Sequence, residues 1–294
     1  MVVVGILVAV VVVVGTAVWW VTRSAVRADP ADVRVADQTV RAAVVEHPGV
    51  AQLLRRRIDP ATASGLALTL AAAVAVLGAL GVGTMFEMVQ RNAGLARLDS
   101  SAARFGATRL SPATEQLFKV VTQFGGTWAI VALAVVVLVF EHRRVPSRKV
   151  VWFFLVAIGG TVAITNLVKV LVDRARPDIA RFVGASGPSF PSGHSSSAAV
   201  AYAAFALVLG RGQRRRVKAI LAGVAAVIAA AVATSRVLLG VHWLTDVIAG
   251  VALGWGWFAV SSIMFGGRLL EFGRPVEQLQ AQADDVGRRE QTST

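Results

Sequence analysis

The 294-residue chain has no cysteine. Disulfides, thiol nucleophiles and zinc–thiolate centres are therefore excluded, and cysteine usage says nothing about redox compartment. Acidic residues are also scarce, with 17 Asp and Glu against 30 Lys and Arg and a net charge of +13. No run of carboxylates exists that could hold a hard divalent cation. Charged residues of both signs make up only 16% of the chain, while 55% is apolar. A soluble domain of this length carries more charge. So large a positive excess first suggests nucleic acid. Here the arginines flank apolar segments, the pattern of contact with anionic head groups and of topology control, so the expected partner is a membrane and not nucleic acid.

The apolar residues come in blocks rather than in alternation, which favours spanning helices over a barrel. Seven stretches stand out: Val2–Val21, Ser64–Thr84, Val120–Phe140, Val150–Val172, Ser195–Leu209, Ala219–Thr234 and Leu244–Phe265. Each approaches the ~20 residues needed to cross the hydrocarbon, although the fifth and sixth must borrow flanking residues. The first lacks a basic n-region, and Trp19-Trp20 stand where small residues would precede a cleavage site, so it reads as an uncleaved anchor over 1–22. Between 23 and 63 the chain reads as a cytoplasmic amphipathic linker, with Val33, Ala36, Val40 and Val44 on one stripe. The all-α membrane core is expected over 64–265, and the polar stretch 266–294 reads as a flexible tail. Ser111-Pro112 has the form of a cap and first-turn proline opening a helix along the outer interface.

Basic clusters set the orientation. Arg55–Arg57, then Arg143, Arg144, Arg148 and Lys149, then Arg211, Arg214, Arg215, Arg216 and Lys218 fall in alternate loops and should face the cytoplasm. The opposite loop holds Arg91, Arg97, Arg104, Arg109 and Lys119, but spread out and interleaved with Glu87, Asp99 and Glu115. The segments 173–193 and 235–241 then lie outside.

Three patches near those outer segments carry chemistry. His242 and Asp246 are four apart, so on a helix they share a face, and the carboxylate fixes the imidazole tautomer while the other ring nitrogen stays free to attack. An exposed helix pair is the bland alternative, and it weakens at a membrane boundary, where ionisable groups are costly. Pro191-Ser192-Gly193-His194 precedes an apolar run. The Ser192 and Gly193 N–H groups should point out of a new helix start that attracts anions. Lys169 and Arg176 are two helical turns apart, with Pro177 ending the helix. Arg176 and Arg236 offer donor forks suited to phosphate oxygens. Asp173, Arg174, Asp178 and Arg181 read as solvated or structural, and Ser195–Ser197 as capping and packing residues.

Together these patches read Lys, six residues, Arg-Pro; Pro-Ser-Gly-His; Ser-Arg, five residues, His, three residues, Asp. That order resembles the type-2 phosphatidic acid phosphatase and vanadium haloperoxidase superfamily, without a gap or substitution, over about Ser64 to Phe265. The resemblance implies a six-helix phosphatase core behind an extra N-terminal helix. His242 would be the nucleophile that forms a phosphohistidine, Asp246 its orienting partner, and His194 the acid and then the base. Lys169, Arg176, Ser192, Gly193 and Arg236 would hold the phosphoryl oxygens, with neither metal nor cofactor. The expected substrate is a lipid phosphate or diphosphate, undecaprenyl diphosphate foremost, then phosphatidic acid or phosphatidylglycerophosphate. A lipid phosphotransferase would use the same motifs, and a vanadate-dependent haloperoxidase fits the spans less well.

Overall fold

The computed structural model describes residues 63–144, 148–179 and 181–269. The expected anchor and nearly all of the linker lie outside the described residues. Helix continues to Leu269, past residue 266 where a tail was expected, and the rest of that stretch lies outside the described residues.

The described residues are helical, with no strand among them. In chain order they form α1 (Ala63–Gln90), a 3-10 turn (Gly94–Leu98), α2 (Asp99–Arg109), α3 (Pro112–Gln123), α4 (Thr127–Arg144), α5 (Arg148–Phe154), α6 (Gly160–Val172), α7 (Gly193–Leu209), α8 (Arg215–Leu238) and α9 (Leu244–Leu269). A π-helical segment, Leu155–Gly159, joins α5 to α6 as one span. Widening the helix there leaves the Val156 carbonyl to a new partner, and Trp257 Nε1 on α9 donates to it at 3.0 Å.

Among the described residues, four helical segments are long and apolar enough to cross a bilayer, and α3 with α4, bent by 52°, makes a fifth if the pair is taken as one span. The apolar stretch 120–140 was expected as one span. It breaks at Gly125-Gly126, between α3 and α4, and α3 has its own start, where Ser111 and Thr114 form a reciprocal capping box ahead of Pro112. The bend is held by Tyr202, whose hydroxyl donates to the Phe124 carbonyl at 3.0 Å. A Cβ on Gly125 would lie 2.5 Å from Val232 Cγ1 and 2.9 Å from the His194 carbonyl. Glycine there lets the break nest against the start of α7.

Helix α7 has 17 residues, about 26 Å at 1.5 Å per residue. That is short for a ~30 Å hydrocarbon layer. It is tolerated because α7 is the central helix: Ala198, Ala199, Val200, Ala201 and Ala204 are all buried. Around it the bundle is apolar on the outside. Leu77, Leu80, Val135, Val136, Val170, Leu171, Ile220 and Val224 are exposed, the surface a lipid-facing helix presents. With lipid outside, hydrophobic burial drives helices together only weakly, and close packing of small residues takes over. Gly78 on α1 meets Gly256 and Ala252 on α9 so closely that a Cβ would lie 2.7 Å from each backbone.

This packing sets the position of the site. The starts of α7 and α9 and the ends of α6 and α8 gather at one end of the bundle. The junctions α4–α5 and α7–α8, with their basic clusters, lie at the other.

Candidate active site

Helix α8 ends at Leu238, and a turn with Gly240 at φ +73° leads into α9. The His242 N–H returns to the Arg236 carbonyl at 3.3 Å, and the Val241 N–H to the same oxygen at 3.2 Å. His242 therefore stands in the turn, two residues before α9, and not on a helical face as the spacing suggested. Asp246 is in the first turn of α9 and reaches backwards. Its Oδ2 accepts the Trp243 N–H at 2.9 Å, an N-terminal cap, and lies 3.5 Å from His242 Nδ1. At that separation the second contact is an electrostatic pairing more than a formed hydrogen bond, and His242 Nδ1 has no other partner.

The opposite ring nitrogen decides the tautomer. Arg176 Nη1 lies 3.2 Å from His242 Nε2. A guanidinium only donates, so Nε2 must carry a lone pair there and the ring proton sits on Nδ1, towards Asp246. Burial holds the His242 pKa down to about 4, with the charges of Arg236 and Arg176 adding to the shift and Asp246 opposing it. The imidazole is thus neutral at pH 7, with the Nε2 lone pair free and facing cations.

Arg176 does not extend α6. The helix stops at Val172, closed by Asp173 in the left-handed region at φ +43°, so Lys169 and Arg176 do not share a helical face. They meet through the loop. Arg176 donates to the carbonyls of Ser186, Gly187 and Val241, and Lys169 Nζ donates to that of Pro188. Arg236 is 5% exposed on α8. Its Nη1 donates to Thr122 Oγ1 of α3 at 2.9 Å, while its Nε has no partner.

The Phe190–Pro191 peptide is cis, and Ser192 follows as the cap of α7. The Ser192 N–H was expected to point at an anion. It donates instead to the Asp246 carbonyl at 2.9 Å, which ties α7 to α9. Ser192 Oγ accepts from Ser195 Oγ at 2.8 Å and from the Ser195 N–H at 3.5 Å. The next N–H groups, of Gly193 and His194, belong to the first helical turn, where no carbonyl of the helix itself can reach them. His194 lies in the field of Arg236, His242, Arg176 and Lys169, and Lys169 in that of Arg176, Asp246 and Arg236. The three sequence patches thus converge, bringing both imidazoles and the three cations together in one largely buried cluster.

Sequence reasoning missed two participants and left a third undecided. Arg174 was read as solvated or structural; it is largely buried and donates to Asp246 Oδ1 at 2.6 Å, to Asp99 Oδ2 at 2.8 Å and to Thr245 Oγ1 at 2.8 Å. Asp99 was counted among loop charges but is 3% exposed. Thr122 gave no signal of its own. Ser235 donates to the Val232 carbonyl at 2.6 Å and Ser196 to that of Ser192 at 2.9 Å, both structural contacts.

Comparison with known proteins agrees with this geometry. The PAP2 superfamily profile matches residues 150–269. Lipid A 1-phosphatase from Rhizobium johnstonii is 34% identical over 193 residues, 55% of this chain and 72% of that protein. The chain belongs to the PAP2 superfamily. It is a membrane phosphatase of that family. Phosphatidylglycerophosphatase B from Bacillus subtilis is 40% identical over 105 residues, 34% of this chain, and the match spans half the length of that relative. Decaprenylphosphoryl-5-phosphoribose phosphatase from Mycobacterium tuberculosis is 38% identical over 148 residues, 48% of this chain and 73% of that one. Among solved structures, the transmembrane PAP2-type phosphatidylglycerolphosphate phosphatase from Bacillus subtilis superposes with a TM-score of 0.62 at 26% identity, covering 66% of this chain and 96% of that one.

Proposed function

We propose that this PAP2 phosphatase hydrolyses a lipid phosphate or diphosphate through a phosphohistidine, without a metal, on the outer face of the membrane. The observation that carries the reading is the contact of Arg176 Nη1 with His242 Nε2, which places an unprotonated nucleophile beside a phosphate-binding fork. His242 Nε2 attacks phosphorus, a P–N bond forms and the bond to the lipid oxygen breaks. His194, protonated once the bound phosphate dianion offsets the cations around it, gives that oxygen its proton. It then takes a proton from water, which attacks phosphorus and breaks the P–N bond, restoring His242. Lys169, Arg176 and Arg236 offset the charge that spreads over the transferred oxygens, joined by the Gly193 N–H at the start of α7. Ser192 contributes its hydroxyl proton, because its N–H is committed to Asp246.

Undecaprenyl diphosphate is the substrate we propose, since a compact helical core with an outward cationic site suits a carrier-lipid head group. Phosphatidylglycerophosphate is the second reading, favoured by the 40% identity to a phosphatase named for it. External placement is supported by the basic clusters at the far end of the bundle. The test is phosphate release from a panel of lipids in right-side-out and inside-out vesicles, with EDTA present. Turnover of undecaprenyl diphosphate confined to right-side-out vesicles is expected. Loss of all activity on chelation, or turnover only in inside-out vesicles, would overturn the corresponding part.

A further inference from the structure

Asp246 is fully buried, and only one of its oxygens faces His242. The other, Oδ1, receives Arg174 Nη1 at 2.6 Å. A carboxylate fixed at one oxygen only can rotate about its terminal bond, and that torsion has no sharp staggered wells to hold it. The Trp243 N–H and the Arg174 guanidinium together pin both oxygens, and with them the direction in which Oδ2 faces the imidazole.

Arg174 is itself pinned from behind. Its Nη2 donates to Asp99 Oδ2 at 2.8 Å, and its Nη1 also reaches Thr245 Oγ1 at 2.8 Å. The Thr245 hydroxyl donates to Asp99 Oδ2 at 2.7 Å and its N–H donates to Asp99 Oδ1 at 2.9 Å. Asp99, from the first turn of α2, thereby caps the start of α9 in trans. The guanidinium lies 5.4 Å above the Trp243 ring, which closes its open face. Neither Arg174 nor Asp99 makes any of these contacts to His242, His194, Lys169, Arg176 or Arg236. Their effect on the reaction must therefore pass through Asp246.

We propose that Arg174 and Asp99 form a positioning pair that orients the Asp246 carboxylate and balances its charge, so that His242 keeps its attacking nitrogen free and basic. With Arg174 between them, two carboxylates and one guanidinium leave one net negative charge beside the imidazole. Without Asp99, that charge is cancelled and the nucleophile loses basicity. Without Arg174, two buried carboxylates face each other and the torsion of Asp246 is released.

This inference rests on the phosphohistidine reading, and the experiment separates the two. Arg174→Lys, Asp99→Asn and Asp246→Asn singly, and the first two also in the Asp246→Asn background, are assayed for kcat and KM on a short-chain lipid phosphate in detergent. Arg174→Lys and Asp99→Asn should each lower kcat about 10- to 100-fold, as expected for a group that tunes an acid–base element without being one. KM should stay within about threefold, since neither residue touches the phosphate. In the Asp246→Asn background the same substitutions should cost almost nothing further, because residues acting through one partner are not additive. Asp99→Asn is isosteric, so it reports even if Arg174 variants fold poorly. Unchanged kcat in the single variants, a rise in KM alone, or full additivity with Asp246→Asn would overturn the positioning role in an active wild-type protein. Wild-type protein without turnover would overturn the phosphatase reading first.

Discussion

Gly250 is where the packing of helices and the chemistry are most directly joined. It lies on α9, one turn beyond Asp246, against the first turn of α7. A Cβ there would stand 2.6 Å from the Ser192 carbonyl, 3.0 Å from Ser195 Cβ and 3.3 Å from Ser196 Oγ. The first of these falls about 0.8 Å short of the ~3.4 Å at which ordinary contact begins. All three obstacles belong to one capped turn, so no flexible side chain can yield, and the start of α7 must retreat from α9. The Ser192 N–H bond to Asp246, now 2.9 Å, would stretch beyond hydrogen-bonding range. Gly193 and His194 would move with that turn, while His242 and Asp246 stayed with α9. A displacement near 1 Å between reacting groups costs on the order of 100-fold. Overpacking of this kind costs about 1–3 kcal/mol of stability.

Gly250→Ala should therefore cut kcat by about 100-fold and lower the melting temperature. Gly254→Ala separates the two effects. One turn deeper, its Cβ would meet the Ser196 carbonyl at 2.5 Å and Ala199 Cβ at 2.7 Å, a similar clash away from the motif. It should match the thermal loss with a smaller loss of rate. Gly223→Ala on α8, with nothing within 4 Å, should change neither rate nor fold. Phosphate release and thermal unfolding in the same detergent give both numbers. A Gly250→Ala protein with wild-type kcat, or rates that simply track melting temperature across the three variants, would refute the reasoning.

Three further outcomes follow from the same contacts. His194→Ala should slow hydrolysis of a lipid alkoxide ester by about 10²–10⁴-fold and that of nitrophenyl phosphate less, because its leaving group needs no proton and only the water-activating step is lost; equal losses on both would remove the acid role. Thr122→Val deprives buried Arg236 of its Nη1 acceptor, and inhibition by vanadate should weaken about tenfold, the equivalent of one charge-assisted hydrogen bond; an unchanged inhibition constant would detach Thr122 from phosphate binding. Because the His242 pKa is about 4 when folded and 6.5 when unfolded, the unfolded chain takes up the extra proton between those values. The stability His242 contributes is present above pH 6.5 and is lost as pH falls through 4. Melting curves of wild type and His242→Ala should converge over that window, and parallel curves would contradict the burial argument.

Much of the helical order was legible because lipid imposes a length rule that local sequence must satisfy. The boundaries that failed are those set by single residues rather than by apolar length. Asp173 closes α6 by adopting a left-handed backbone, which no hydropathy signal announces. Gly125 breaks the third pass because α7 approaches it, and that is visible only in three dimensions. The convergence of the cations and imidazoles was expected from the order and spacing of their motifs, and they do lie together; that they hold phosphate is the proposal. Asp99 and Arg174 could not, because a charge in a mixed loop looks the same whether it is solvated or buried 75 positions from its partner.

The buried acids explain how so basic a cluster holds together. Lys169, Arg176 and Arg236 repel one another, and desolvation makes each costlier. A carboxylate among them would relieve the repulsion but would also compete with substrate for the same donors. The fold keeps the negative charge one layer back: Asp246 lies behind His242, and Asp99 behind Arg174. Backbone carbonyls of the loop, from Ser186 to Pro188, satisfy Arg176 and Lys169 in front. Carbonyls carry partial charge only, so a phosphate dianion can displace them where a carboxylate would resist. On the proposed reading, a site built this way stays folded when empty and still favours an anion with several oxygens.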